Sequence, residues 1–474
     1  MHGSMSAIHG VRATAVWAAA GSAAQIGCQV IALVVLARLL SPYEFGVVSA
    51  AALVTQLATI FSEFGVGPYL VQRPRLARAT VGTCYLASCA FGALMAALLW
   101  LGAPLLALVL HVAELRLVLR AYAVVFIMMG AAAVHDALLQ RELNFRYLAH
   151  ADAVSFALGY AGVSIVCALA GLSYWSIVIG HLSQAAIRAV MVIGRHPHVA
   201  RSTVSLAELR PLLRFGGAQT LSRLGAFIAS QADSFVVTAR LGVASIGYYG
   251  RANQLVTMPT AQLGQLFDKV LFPTVARMQH DRSRSAAAYC TAVTIICLLS
   301  LPLCVLIWML APQIVHVALG LQWDAVVDPV RVLALAIPLR LLHKVSDPTA
   351  RALGATYSRA WRQGLFAVAV IALSLVLYRY GLTAVAWGVV ATAALDAVLM
   401  VWLCASLTGL SALRLIRATF PGAGAAALTA LLAGLALLAV RPWRGNDGLV
   451  LAAAGVASLG TLGLVVHRYR EYVR

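Results

Sequence analysis

The chain has 474 residues, 62% of them hydrophobic and 11% charged, a formal net charge of +19 and a mean hydropathy of +0.89. Soluble domains hold roughly 45–50% apolar and about 25% charged residues, so the composition excludes a soluble fold and leaves a membrane-spanning one. In lipid, helices and closed barrels satisfy every backbone hydrogen bond, and barrel strands are about 10 residues of alternating polarity. The apolar runs here are long and continuous, as in VIALVVLARLL at 30–40 and LTALLAGLALLAV at 428–440, which predicts an all-α polytopic membrane protein.

Cutting the chain at polar and Pro/Gly breaks predicts about fourteen spans of roughly 20 residues or more. They are 14–38, 45–70, 80–110, 117–139, 148–170, 173–194, 213–239, 246–274, 286–311, 329–352, 359–379, 382–408, 418–440 and 448–467. The first is too long for a signal-peptide core of about 7–15 residues, and Met5 is an alternative initiator. The largest loop, Arg195 to Leu212, leaves no room for a soluble catalytic domain. DxD, GxxxxGK[ST], HExxH and GxSxG motifs do not occur, so the expectation is a protein that is not an enzyme. The eight cysteines form no CxxC pair and have no histidine cluster beside them. They read as small apolar side chains, with no metal and no cofactor implied.

Basic residues orient the spans, because translocating them is disfavoured. Of 35 Lys and Arg, 21 fall on one side, from Arg12 and Arg73 through Arg195 and Arg214 to Arg474. Nine, such as Arg116 and Arg379, fall on the other, and five lie inside spans. This places both termini in the cytoplasm. It also accounts for the net charge one short loop at a time, so nucleic acid is not an expected partner. Anionic membrane lipids are.

An internal repeat is visible at an offset near 202 residues. Arg12 matches Arg214, Gln29 matches Gln231, Ala37-Arg38-Leu39 matches Ala239-Arg240-Leu241, Gly46 matches Gly247, Glu63 matches Asp268 and Pro68 matches Pro273. The offset is six spans, so the copies run parallel. The predicted organisation is one six-helix bundle at 1–205, a second at 206–410 and an additional helix pair at 411–474. Two bundles around a central cavity is a transporter plan.

Ionisable groups inside spans are functional candidates. On the seventh span Gln219, Ser222, Arg223, Ser230, Asp233 and Ser234 share a face of about 120°. Others are Glu63, Asp136, Arg188, Asp268, Lys269 and Asp396. On the tenth span Arg340 and Lys344, and His343 and Asp347, are spaced i,i+4 and so share faces pairwise. His343 with Asp347 is a candidate proton-responsive pair, since histidine titrates near neutral pH. Glu63, Asp268 and Lys269 lie near span ends, where a long side chain can snorkel.

The segment QADSFVVTARLGVASIGYYGRANQLVTMPTAQLGQLFDKVLFPTVARMQHD at 231–281, with ARLLSPYEFGVVSAA at 37–51, is similar to the polysaccharide-transport, or Wzx-type, flippases. These belong to the multidrug/oligosaccharidyl-lipid/polysaccharide exporter superfamily, and the resemblance is to the exopolysaccharide and colanic-acid exporter branch. It rests on Asp233, the Ala239–Gly242 exit, Gly247-Tyr248-Tyr249-Gly250-Arg251-Ala252, Pro259 and Leu271-Phe272-Pro273.

The resemblance implies alternating-access movement of undecaprenyl-diphosphate-linked oligosaccharide repeat units across the bacterial inner membrane. A polysaccharide polymerase and export machinery are the expected partners. An anionic diphosphate favours inward cations, which gives Arg223, Arg188, Arg340 and Lys344, with Gln219, as the expected substrate lining. Asp233, Asp396, His343 and Asp347 are the expected ion- or proton-coupling groups. A lipid II-type flippase and a multidrug or cation antiporter of the same superfamily stay open as alternatives. The antiporter favours a carboxylate-rich cavity, whereas mid-membrane bases here at least equal acids. A polymerase or ligase typically carries a sizeable periplasmic loop, which is not found.

Overall fold

A computed structural model describes residues 27–439 apart from 202 and 279, together with five positions between 448 and 455. The first predicted span is therefore described from residue 27 onward, and the last lies almost wholly outside the described residues. The helices run in the order α1 (Gly27–Leu39), α2 (Pro42–Glu63), α3 (Val66–Gln72), α4 (Arg78–Leu110), α5 (Leu115–Arg141), α6 (Phe145–Val154), a π-helical segment (Ser155–Val163), α7 (Ser164–Leu169) and α8 (Trp175–Arg195). They continue with α9 (Leu206–Leu241), α10 (Val243–Arg277), α11 (Arg282–Met309), α12 (Ala311–Ala318), α13 (Val327–Ala334), α14 (Ala336–Ala352), α15 (Thr356–Leu377), α16 (Leu382–Thr408) and α17 (Ala412–Ala439).

Among the described residues, nine helical stretches are long and apolar enough to cross a membrane. The protein is a multi-pass helical membrane protein. α9 and α10, of 36 and 35 residues, have the length to span, at about 1.5 Å per residue, but are too polar for that set. The tenth predicted span is divided at Leu335 into α13 and α14. Outward faces are apolar, as membrane helices require: Leu98, Leu101, Leu105 and Leu108 recur at helical spacing along α4 and are all exposed.

The chain divides into two compact units. The first holds residues up to Phe227 together with Gly242–Gly247. Its core packs Val66, Tyr69 and Leu70 of α3 against Cys84 and Ala87 of α4 and Val134 and Ala137 of α5. α2 starts on a capping box: the Ser41 hydroxyl accepts from the Glu44 amide, the Glu44 carboxylate accepts from the Ser41 amide, and Pro42 occupies the first turn. The start of α2 crosses the start of α10 with a reciprocal geometry. A methyl group on Gly46 would strike the Val243 carbonyl, and one on Gly247 would strike the Pro42 carbonyl. The repeat pairs Gly46 with Gly247 at an offset of 201, and the same offset carries residue 42 onto 243, so equivalent positions of the two copies meet.

The second unit holds Ile228–Leu241 and Tyr248 onward. α11 is packed by α14 and α17, and α16 by α13, α14 and α15. Tyr289 of α11 is fully buried and shares a 2.8 Å hydrogen bond with Ser346 of α14, whose carbonyl accepts from Cys404 of α16 at 3.2 Å. Trp323 is buried completely, edge-on to Tyr248. α17 packs along α11, which joins it to this unit's core.

Candidate functional site

The first unit contains a cavity of about 650 Å³ bounded by α2, α3, α5, α8 and, near the middle of α9, Arg223. α2 stops at Glu63 because the backbone turns left-handed at Phe64 (φ +36°) and Gly65 (φ +66°) before α3 resumes. Gly216 of α9 lies against this break, where a side chain would strike Phe64. Two helical turns further along α9, Arg223 reaches the cavity and donates to the Glu63 carboxylate. The break in α2 thus fixes the carboxylate and the glycine contact fixes the guanidinium.

Arg188 of α8 makes a fork. Its Nη1 donates to Asp136 Oδ2 of α5 at 2.7 Å and its Nε to Asp152 Oδ1 of α6 at 2.7 Å. Asp136 Oδ1 is buried with no hydrogen-bond partner among the described residues, so this carboxylate keeps an unused acceptor. His181 lies two turns before Arg188, with its Nδ1 3.0 Å from Tyr122 Oη and its ring stacked on Tyr160 at 4.8 Å between centroids. Tyr160 comes from the π-helical segment, and such wide turns inside α-helices are frequent at functional sites. Thr55, Thr59, Gln140 and Gln184 complete the polar wall. The cavity offers two guanidiniums, two lining carboxylates and several neutral hydrogen-bonding groups. Its cations are compensated by neighbouring carboxylates rather than bare.

The second unit holds the other sequence-predicted residues. Asp233 is buried and accepts from the Tyr249 hydroxyl and from the Ser234 amide at 2.8 Å. Arg340 donates to Asn253 Oδ1 at 3.3 Å. The stem of Lys344 packs on Gly264. His343 Nδ1 stands 2.7 Å from Asp396 Oδ2 of α16, although the two are not aligned along a hydrogen-bond direction. Asp347 binds Arg351 at 3.0 Å and Arg359. The pairing of His343 with Asp347 is therefore corrected: Asp396 takes that place, because a carboxylate from a packed neighbouring helix outcompetes an i,i+4 contact worth about 0.2–0.5 kcal/mol.

Of the predicted lining, Arg188 and Arg223 come together at one cavity. Gln219 sits beside Gly65 at the break in α2 and is not among the residues lining that cavity. Arg340 and Lys344 belong to the other unit, as do Asp233, His343, Asp347 and Asp396. The side chains of Asp268 and Lys269 lie outside what the structure describes. Sequence reading passed over His181, Gln184, Tyr122, Tyr160 and Asp152. The first two precede Arg188 by seven and four residues and so share its helix face, a signal that was available; Tyr160 depends on a π-turn that leaves no periodic mark.

The sequence pattern of the family described as polysaccharide biosynthesis protein matches residues 35–328. The succinoglycan biosynthesis transport protein ExoT of Rhizobium meliloti is 28% identical over 82% of this chain and 76% of its own length. The lipopolysaccharide biosynthesis protein WzxC of Escherichia coli is 23% identical over 70% of this chain and 67% of its own. The teichuronic acid biosynthesis protein TuaB of Bacillus subtilis is 25% identical over 70% and 69%. Among solved structures, the lipid II flippase MurJ in its inward closed conformation superposes with a TM-score of 0.75, at 12% identity, over 97% of this chain and 100% of that one. An inward-facing multidrug resistance MATE transporter of the MOP superfamily gives 0.64, at 15% identity, over 82% and 96%. At those identities the two structures show the fold alone, a polytopic helical transporter fold. With the match at 35–328 covering more than half of its length, the chain belongs to the polysaccharide biosynthesis protein family.

Proposed function

We propose that this protein is a flippase that moves undecaprenyl-diphosphate-linked oligosaccharide repeat units from the cytoplasmic to the periplasmic leaflet of a bacterial inner membrane, by alternating access. Both termini are cytoplasmic in this reading, and the product feeds a polysaccharide polymerase and export machinery. Membership of a family with relatives named for succinoglycan, lipopolysaccharide and teichuronic acid supports the cargo class. Two parallel six-helix repeats, read from the matches at an offset near 202 residues, support a rocking motion.

The observation that carries the reading is the presence of Arg188 and Arg223 at one cavity within the membrane helices, each held by carboxylates of other helices. A guanidinium at membrane depth is tolerated when paired. A diphosphate offers the same planar, bidentate match that a carboxylate does, with more charge. The substrate headgroup therefore exchanges with Glu63 and Asp136 for the two arginines, and the neutral wall of Thr55, Thr59, Gln140 and Gln184 receives sugar hydroxyls. In the second unit, Arg340 and Lys344 are the cationic groups assigned to substrate, and in the first Gln219 supports the α2 break. For coupling, the proposal centres on His343 with Asp396, and keeps Asp233 as a buried acidic site and Asp347 as the anchor of two arginines.

The test is complementation of a strain lacking its own flippase of this type. Arg223→Ala and Arg188→Ala should each abolish surface polysaccharide and accumulate lipid-linked repeat units, at unchanged membrane abundance. Normal polymer output from either variant would overturn the reading.

A further inference from the structure

The outer surface of α15 and α16 carries a second cationic feature that the transport reading does not use. Arg362 is seven residues into α15, roughly 9 Å along the helix. Trp402 lies six residues before the end of the adjoining α16, at the same depth from the same end. Arg362 is only 5% exposed. Its guanidinium lies 4.7 Å from the centre of the Trp361 ring and 5.5 Å from that of Trp402. Nη1 donates to the Ser358 carbonyl one turn back at 2.5 Å, while Nε is buried with no hydrogen-bond partner among the described residues. No carboxylate among the described residues pairs with this cation; Asp347 of α14 is committed to Arg351 and Arg359.

The two rings that frame it are open to the surroundings, at 54% exposed for Trp361 and 62% for Trp402. The exposure continues inward at helical spacing, through Leu365 and Val368 on α15 and Val398 and Leu395 on α16. The elements are thus a cation short of a counter-ion, two tryptophans of the kind that settle at headgroup level, and an apolar track running from them toward the membrane interior. A soluble anion explains the first of these and not the track. A lipid with an anionic headgroup explains all three.

We propose that Arg362, framed by Trp361 and Trp402, binds the phosphodiester of an anionic glycerophospholipid whose acyl chains lie along the exposed face of α15 and α16. The site acts on the membrane's own lipid and is independent of the transported cargo.

Tryptophan quenching tests it on the full-length protein in phosphatidylcholine vesicles. Subtracting the signal of a Trp361→Phe, Trp402→Phe double variant isolates the two rings. Brominated phosphatidylglycerol should half-quench them at a mole fraction about fivefold lower than brominated phosphatidylcholine does. The preference should vanish in Arg362→Gln and persist in Arg362→Lys. Inorganic phosphate should leave the quenching unchanged. Equal quenching of the two-ring signal by the two brominated lipids overturns the proposal, whether or not the Arg362 variants fold. So does relief of quenching by undecaprenyl phosphate at a lower mole fraction than that of the brominated lipid, which would assign the site to the cargo.

Discussion

Arg188 touches two carboxylates and Arg223 one, and this decides what each substitution does. Arg188→Ala leaves Asp136 and Asp152 facing each other's charge without the shared cation. For a fully buried pair the loss is about 3–5 kcal/mol. Here the side chains are 18% to 43% exposed, so screening brings the expected loss nearer 1–3 kcal/mol. A thermal unfolding scan in detergent should show a lower midpoint for Arg188→Ala, largely recovered when Asp136→Asn and Asp152→Asn are added, while transport stays lost. Recovery of transport in that triple variant would show that the arginine's only task is packing. In the second unit, His343→Gln should flatten the response of transport to an imposed proton gradient, because it removes the imidazole that faces Asp396, while Asp347→Asn should not. The charged residues of the spans were legible as candidates from composition alone. Their partners were not, because partner choice is set by which helices pack. His343 and Asp347 share a helix face, yet Asp396 reaches the imidazole from α16 and Asp347 turns to Arg351 and Arg359.

At the level of helices, the repeat was visible in a handful of matched positions, and the structure gives one of them a physical role. Gly46 and Gly247 are each needed so that the other copy's carbonyl can approach, and small residues at helix crossings serve this in membranes. Gly46→Leu or Gly247→Leu should lower the thermal midpoint and the membrane yield by overpacking the crossing, at a cost of about 1–3 kcal/mol each. If the two substitutions meet at one seam, their effects should be non-additive when combined; additive losses would place them at separate sites. Other breaks had weaker marks. The left-handed turn at Phe64 and Gly65 interrupts an apolar run that reads as a single span, and only one of its two residues is glycine. The π-helical segment SFALGYAGV has the composition of any apolar helix, so nothing in its pattern distinguishes a wide turn from a regular one. The division of the tenth span at Leu335 is silent for the same reason.

For the whole molecule, composition gives a polytopic helical protein and the matched relatives give the family, while orientation rests on the distribution of arginine. That orientation predicts that a cysteine at Arg75 reacts with an impermeant maleimide from the cytoplasmic side alone, and one at Arg116 from the periplasmic side alone. The reverse pattern would turn the protein over and with it the direction of transport. The central claim is transbilayer movement of a lipid-linked oligosaccharide through a path that uses Arg223. Purified protein in vesicles containing a fluorescently tagged undecaprenyl-diphosphate oligosaccharide measures it directly, with dithionite added to bleach the outer leaflet. The account predicts that bleaching proceeds past the outer half to near completion with the wild-type protein and stops at about half with Arg223→Ala. Bleaching that stops at half with the wild-type protein, or runs equally far with the variant, would contradict it.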